Sequence, residues 1–319
     1  MKIHIPPRVD APETNLFAKI IKRFSNTEWD RDVMILIPGG PGGNHTLYAD
    51  IEESLLEYAD LVILDLRGCG YSDKADVRFC TLEHHIRDIE AVRIALNINK
   101  PIIHGCSYGA IVALGYAISP YSENLSKLIL SSCAASGDFI RAAQENLKKR
   151  GTPEQIKIAE LLWEGKFESP EQFAEYYKTM APLYVYHAPK PEELPILKYN
   201  IPYNTDLVNY AFKGFLLEFD YRPHLTKVKT PTLIFSGKND WIIDTEQAEI
   251  LYAGIARSTL ITLDECGHFP WKDQKSAFLS SLKFFLNPAL DCDNFNDTAF
   301  RMARIRMSSS DQQSRTRLN

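Results

Sequence analysis

The sequence predicts an α/β fold, a mostly parallel central sheet flanked by helices and interrupted by an inserted helical lobe. Three observations carry this. Short apolar runs recur between longer helical patterns, the order that right-handed strand–helix–strand crossovers produce. The runs are near-continuous rather than alternating, as strands covered on both faces require. From about residue 136 to residue 222 strand runs disappear, and then the alternation resumes.

In chain order, residues 33–37 (VMILI), 61–64 (LVIL), 101–104 (PIIH) and 128–130 (LIL) read as buried strands. Helical patterns at 48–59, 82–96 and 108–118 separate them. The segment 136–222 reads as helices punctuated by Pro153, Pro170, Pro182, Pro189, Pro191, Pro195 and Pro202. It holds 15 aromatic residues in 87, about 17% against 11% for the whole chain, so it suits a lid that lines a pocket as well as a lobe with its own core. Strands return at 232–236 (TLIFS) and 259–263, with helices near 246–253 and 274–286. Beyond Pro288 the chain turns polar. The expected organisation is a core of 1–135 and 223–287, a helical cap of 136–222, and a disordered tail of 288–319. Within the tail, 299–307 (AFRMARIRM) offers at most a short basic helix.

Composition narrows the function classes. At ~150 residues per domain, 319 residues make about two domains, or one large α/β domain with an insertion. A formal net charge of −5 with mixed signs argues against nucleic-acid or polybasic membrane binding. No apolar run approaches the ~18 residues of a membrane span. The N-terminus MKIHIPPRVDAPE has two prolines and an acid where a signal peptide would be apolar. The six cysteines form no CxxC pair, so neither a zinc ribbon nor a disulfide scaffold is indicated. A soluble protein in the reducing cytoplasm is expected, with no metal and no cofactor.

Residues 105–109, GCSYG, form a G-x-S-x-G between a buried strand and a helix. Small residues two before and two after Ser107 let the chain turn sharply and lift the hydroxyl above the sheet edge. A serine hydroxyl needs a base, and the base an orienting acid, both from the ends of later strands. His268, just past strand 259–263, and Asp240, just past strand 232–236, fall in that order and place. Asp244 and Asp264 are reserve acids. After the first strong strand, Pro38-Gly39-Gly40-Pro41-Gly42-Gly43 leaves backbone N–H groups free to approach an oxyanion, and Tyr108, next to the serine, supplies the second N–H. The nucleotide patterns G-x-G-x-x-G and GxxxxGK[ST] are absent. His84, His85 and Asp88 read as a solvated helix start rather than a metal site. Cys106 and Cys266 flank the serine and histidine, where bulky thiol reagents would inhibit by crowding.

These motifs resemble the proline iminopeptidases and related α/β-hydrolases. PGGPGG resembles their HGGPGG loop, and DLRGCGYS (65–72) their D-x-R-G-x-G-x-S turn. GCSYG, GKNDWI and GHFPW stand at their nucleophile, acid and histidine positions, over roughly 30–135 and 223–286. The resemblance implies an α/β-hydrolase fold, Ser107 as nucleophile, Asp240 as acid, His268 as base, and Gly40 and Tyr108 as oxyanion-hole donors. Arg67, Gly68 and Gly70 are then turn residues. Pro38 departs from the usual histidine. The implied activity is an aminopeptidase releasing N-terminal proline or a small residue from short peptides. An esterase, lactonase or amidase on a small acyl substrate is the alternative, and a non-catalytic ligand-binding protein a further one. An aminopeptidase must hold a free α-ammonium, for which Glu218 is the candidate, with Asp220 beside it and Asp206 further off.

Overall fold

The computed structural model describes residues 1–24, 28–187, 198, 199, 201, 203–287 and 303–307. The strands are β1 (Lys2–Ile5), β2 (Thr14–Ile21), β3 (Val33–Ile37), β4 (Asp60–Leu64), β5 (Ile102–Cys106), β6 (Lys127–Ser131), β7 (Thr232–Gly237), β8 (Ser258–Leu263) and β9 (Ala303–Met307). Among the described residues they form one sheet in the order β1-β2-β4-β3-β5-β6-β7-β8-β9. The six strands from β4 to β8 in that order run parallel, while β1, β2 and β9 pair antiparallel.

The parallel strands are apolar on both faces because both are covered. Ile35, Ile37, Val62, Leu64, Ile103 and Leu130 pack on one face under α2 (Leu82–Ala95) and α3 (Tyr108–Ile118). Their neighbours Met34, Leu36, Leu61, Ile63 and Ile129 pack on the other, against Phe278 and Leu282 of α11 (Lys275–Leu286), while α9 (Thr245–Gly254) joins β7 to β8. Each such fully buried Leu or Ile contributes about 1.5–3 kcal/mol.

The structure adds two strands and corrects two expectations. β1 and β2 were not read from the sequence, although Leu16 and Ala18 face inward with exposed or half-buried neighbours, a period-2 pattern. The stretch 48–59 yields only a 3-10 turn, His45–Tyr48, and the single-turn α1 (Glu52–Leu55). In the presumed tail, β9 pairs with β8 in the register Ile261↔Ile305. ARIRM alternates apolar and cationic residues at period 2, and β8 would otherwise leave a row of unpaired backbone groups at the sheet edge. The remainder of 288–319 lies outside the described residues.

The cap leaves the core after β6 and returns before β7. It contains α4 (Asp138–Arg150), α5 (Pro153–Trp163), α6 (Pro170–Tyr184), α7 (Thr205–Lys213) and α8 (Phe215–Glu218). Pro153 and Pro170 begin helices, where a missing N–H costs nothing, behind the N-caps Thr152 and Ser169. Pro182 sits in the last turn of α6; Pro189, Pro191, Pro195 and Pro202 lie outside the described residues. The two ends of the cap meet at a narrow neck: Gly137 N–H donates to Phe219 O at 2.9 Å, and Tyr221 N–H to Ala135 O at 2.7 Å.

Candidate active site

Ser107 occupies the sharp corner between β5 and α3. Its backbone, φ 55° and ψ −122°, is a conformation that side-chain-bearing residues rarely adopt. The corner is held by Ser107 N–H donating to Ser131 O at 2.9 Å and by packing behind it. A Cβ on Gly109 would lie 2.2 Å from Ile37 O, so only glycine lets α3 start this close to the loop after β3. The hydroxyl is not needed to cap α3.

His268 and Asp240 come from the loops after β8 and β7, and each is only 2% exposed. His268 Nδ1 lies 2.7 Å from Asp240 Oδ2. Asp240 Oδ1 accepts the N–H groups of Ile242 and Ile243 at 3.0 and 3.1 Å, so the carboxylate is fixed at both oxygens. In a neutral imidazole that donates Nδ1–H to Asp240, Nε2 carries the lone pair a general base requires. Ser107 and His268 line the same cavity, and among the described residues no hydrogen bond joins their side chains.

The cap takes part in holding the histidine, which sequence reasoning missed. His268 N–H donates to Tyr184 O at 2.7 Å, and the Tyr184 ring meets the imidazole edge-to-face at 5.4 Å. Asp273 in α10 (Pro270–Asp273) accepts N–H bonds from Gly267 on the histidine loop and from Tyr186 and His187 just past α6. A carboxylate five residues beyond the histidine carries no motif that would have revealed this.

The glycine loop passes directly over the serine. A Cβ on Gly39 would stand 3.1 Å from Ser107 Cβ, and Gly40 has φ +145°. Among the described residues, no protein acceptor takes the N–H of Gly40 or Tyr108, which leaves both free for an oxyanion. Asp65 braces this loop against the 65–72 turn, accepting His45 N–H at 2.6 Å and Tyr71 N–H at 2.8 Å. Pro38, at the usual histidine position, is buried.

Above Ser107 opens a cavity of about 1040 Å³, mouth included. Its roof is aromatic: Phe173, Tyr176, Tyr177, Tyr184 and Tyr203 from the cap, with Phe269 from the histidine loop. Apart from His268, the ionisable non-phenolic side chain on its wall among the described residues is Lys272, which also reaches Asp50 at 2.7 Å. A smaller cavity of about 250 Å³ shares Gly40 and Ser107 with it and is bounded by Tyr108.

Other candidates are not brought to the site. Glu218 is exposed at the end of α8 and lines neither cavity; its helix turns Leu216 inward instead. Asp206 and Asp220 are also exposed, and Asp220 pairs with Arg222. Asp244 accepts a hydrogen bond from Asn146, and Asp264 pairs with Lys238. The helix start at His84 is not solvated as expected. His85 and Asp88 are fully buried, with Asp88 gripped by Arg67 and Arg8. His85 accepts from Tyr108 O–H and faces Arg67 O with its other nitrogen, so burial holds it neutral, its pKa lowered to about 4. These nitrogens and oxygens are spent within the fold. Cys106 and Cys266 are fully buried and burial pushes both thiols up, so neither presents the accessible thiol that inhibition by crowding needs.

Residues 34–280 match the alpha/beta hydrolase family. The proline iminopeptidase of Saccharolobus solfataricus is 26% identical over 268 residues, covering 80% of this chain and 84% of that protein. The Lactobacillus helveticus proline iminopeptidase is 27% identical over 271 residues, 81% of this chain and 90% of its own. A thermophilic esterase from Thermogutta terrifontis superposes with a TM-score of 0.70 at 23% identity, over 90% of this chain and 98% of that one. No helix among the described residues is long and apolar enough to cross a membrane.

Proposed function

The chain belongs to the alpha/beta hydrolase family, and from that membership we propose that it is a serine hydrolase that cleaves small, neutral acyl esters or amides through an acyl-enzyme. Ser107 Oγ attacks the carbonyl carbon as its proton passes to His268 Nε2, with Asp240 holding the Nδ1–H. The oxyanion is met by the N–H groups of Gly40 and Tyr108, a contribution of about 3–4 kcal/mol per donor. His268 returns the proton to the leaving group as its bond to the carbonyl breaks. Water then gives a proton to His268 and attacks the acyl carbon, and Ser107 recovers its proton as the acid departs.

The observation that carries the substrate class is the wall of the cavity. Like the wall of the smaller cavity, it is largely aromatic and aliphatic, and among the described residues of both there is no carboxylate to pair an α-ammonium. An unpaired ammonium brought there loses hydration without compensation, a penalty of several kcal/mol. Neutral acyl groups meet no such barrier. The second reading is a proline-iminopeptidase-like aminopeptidase acting on short peptides, favoured by iminopeptidase relatives such as those from Saccharolobus solfataricus and Lactobacillus helveticus. Five buried, unpaired cysteines support a reducing, cytoplasmic setting for either.

The test measures kcat/KM on a proline arylamide with a free amine, on its N-acetylated twin, and on a short neutral ester, each repeated with Ser107→Ala. Turnover of the ester and the acetylated amide, abolished by the substitution, is expected. A preference for the free amine of about a hundredfold, ~2.7 kcal/mol, would overturn this order in favour of the aminopeptidase.

A further inference from the structure

Two cavities meet at Ser107, and each contains a different half of the machinery. The larger includes His268; the smaller lacks it and includes Tyr108. Gly40 and Ser107 border both, and Phe212 and Ile242 form the partition, since both residues line each side. Reaction geometry then assigns the substituents of the carbonyl carbon. The leaving atom must lie beside His268, which protonates it. The carbonyl oxygen must point at the N–H groups of Gly40 and Tyr108. The acyl chain takes the remaining direction, toward the space that borders the oxyanion donors but not the histidine.

We infer that the smaller cavity is the acyl subsite, that it selects a short aliphatic acyl group, and that the aromatic cavity receives a bulky or aryl leaving group. This rests on the acyl-enzyme reading above. The smaller cavity has about a quarter of the larger one's volume. Its walls are Ile111, Phe139, Phe212, Leu216, Ile242 and Ile243. They come from α3, α4, α7, α8 and the loop after β7, and all six are buried. A pocket assembled from five packed segments does not stretch freely. The Tyr108 hydroxyl is already donated to His85 at 2.8 Å, so a polar or charged acyl group finds no side-chain partner there beyond Ser107. The larger cavity offers flat ring faces suited to stacking.

The experiment uses the full chain and 4-nitrophenyl esters from acetyl to octanoyl, then butyrate esters with aryl and ethyl leaving groups. The expected optimum is an acyl group of about two to four carbons, with kcat/KM falling roughly tenfold for each methylene beyond the limit. Aryl butyrates should exceed ethyl butyrate by more than their difference in uncatalysed reactivity. Leu216→Ala should move the acyl optimum to longer chains and change the deacylation rate in burst kinetics, because only the acyl group remains at that stage. Phe173→Leu, in the larger cavity, should alter leaving-group preference instead. If Leu216→Ala does not fold, Ile243→Phe reads the same subsite by shortening the accepted chain. A wild-type preference for octanoyl, or an acyl profile that moves with Phe173→Leu and not with either subsite variant, overturns the assignment while leaving the hydrolase intact. Absence of turnover on every ester and amide overturns the acyl-hydrolase reading and this assignment with it.

Discussion

Replacing Ser107 by glycine is expected to abolish activity and stabilise the fold. At φ 55° and ψ −122° the Ser107 Cβ is held in a region that a side-chain-bearing residue occupies only under constraint from its surroundings. Such strain costs about 1–3 kcal/mol, and removing the Cβ relieves it. Against this, glycine widens the unfolded ensemble by about 0.4–1 kcal/mol. The hydroxyl contributes no cap to α3, so no helix-end hydrogen bond is lost with it. The balance is roughly 0.5–2 kcal/mol in favour of the glycine variant relative to Ser107→Ala, which keeps the Cβ and removes only the oxygen. At about 2.1 cal/mol/K of unfolding entropy per residue, a chain of this length gains only ~1–3 °C in Tm. Urea unfolding followed by tryptophan fluorescence is therefore the better assay, with the alanine variant as the reference. If the glycine variant unfolds at the same or lower urea than the alanine variant, the corner is not strained and the argument fails.

Further outcomes follow from the same contacts. Asp240→Asn should keep the fold, since its amide oxygen can still accept the Ile242 and Ile243 N–H groups, yet kcat should fall by about 10³–10⁴ as the His268 tautomer is lost; a drop below tenfold would remove Asp240 from the mechanism. Burial holds His85 at a pKa of about 4 and His104 at about 3. Below pH ~6.5 the unfolded chain therefore takes up protons that the folded chain refuses, and stability falls as pH drops toward those values, by at most about 1.4 kcal/mol per pH unit for each histidine. His85→Gln should make the urea midpoint less steep between pH ~6 and ~4, and an unchanged slope would contradict the buried neutral imidazole. In a native thiol titration the five buried cysteines should stay unreactive, whereas denatured chain should titrate all six; rapid native labelling of Cys106 with loss of activity would restore the crowding idea.

The alternation of buried strands and helices, and the order of the chemical groups along it, are legible in the amino-acid sequence alone. VMILI, LVIL and TLIFS can be satisfied only by cover on both faces, a local property of composition. GCSYG, GKNDW and GHFPW each follow such a strand, so the parallel sheet lines their loops up at one edge, and the 2.7 Å contact of His268 with Asp240 was foreseeable from position alone. What the sequence withheld depends on contacts between segments far apart in the chain. The inward turn of Leu216 and outward turn of Glu218 follow from how the one-turn helix α8 packs, and four residues are too few to show a period. The grip of Tyr184 on His268 is a backbone hydrogen bond across 84 positions, invisible to any side-chain pattern. β9 depends on the free edge of β8, some forty residues earlier. The division of the site into two cavities needs Phe212 from the cap and Ile242 from the core on the same partition. Sequence periodicity names the residues that seek burial; only packing between distant elements decides which of them face each other and which enclose a space.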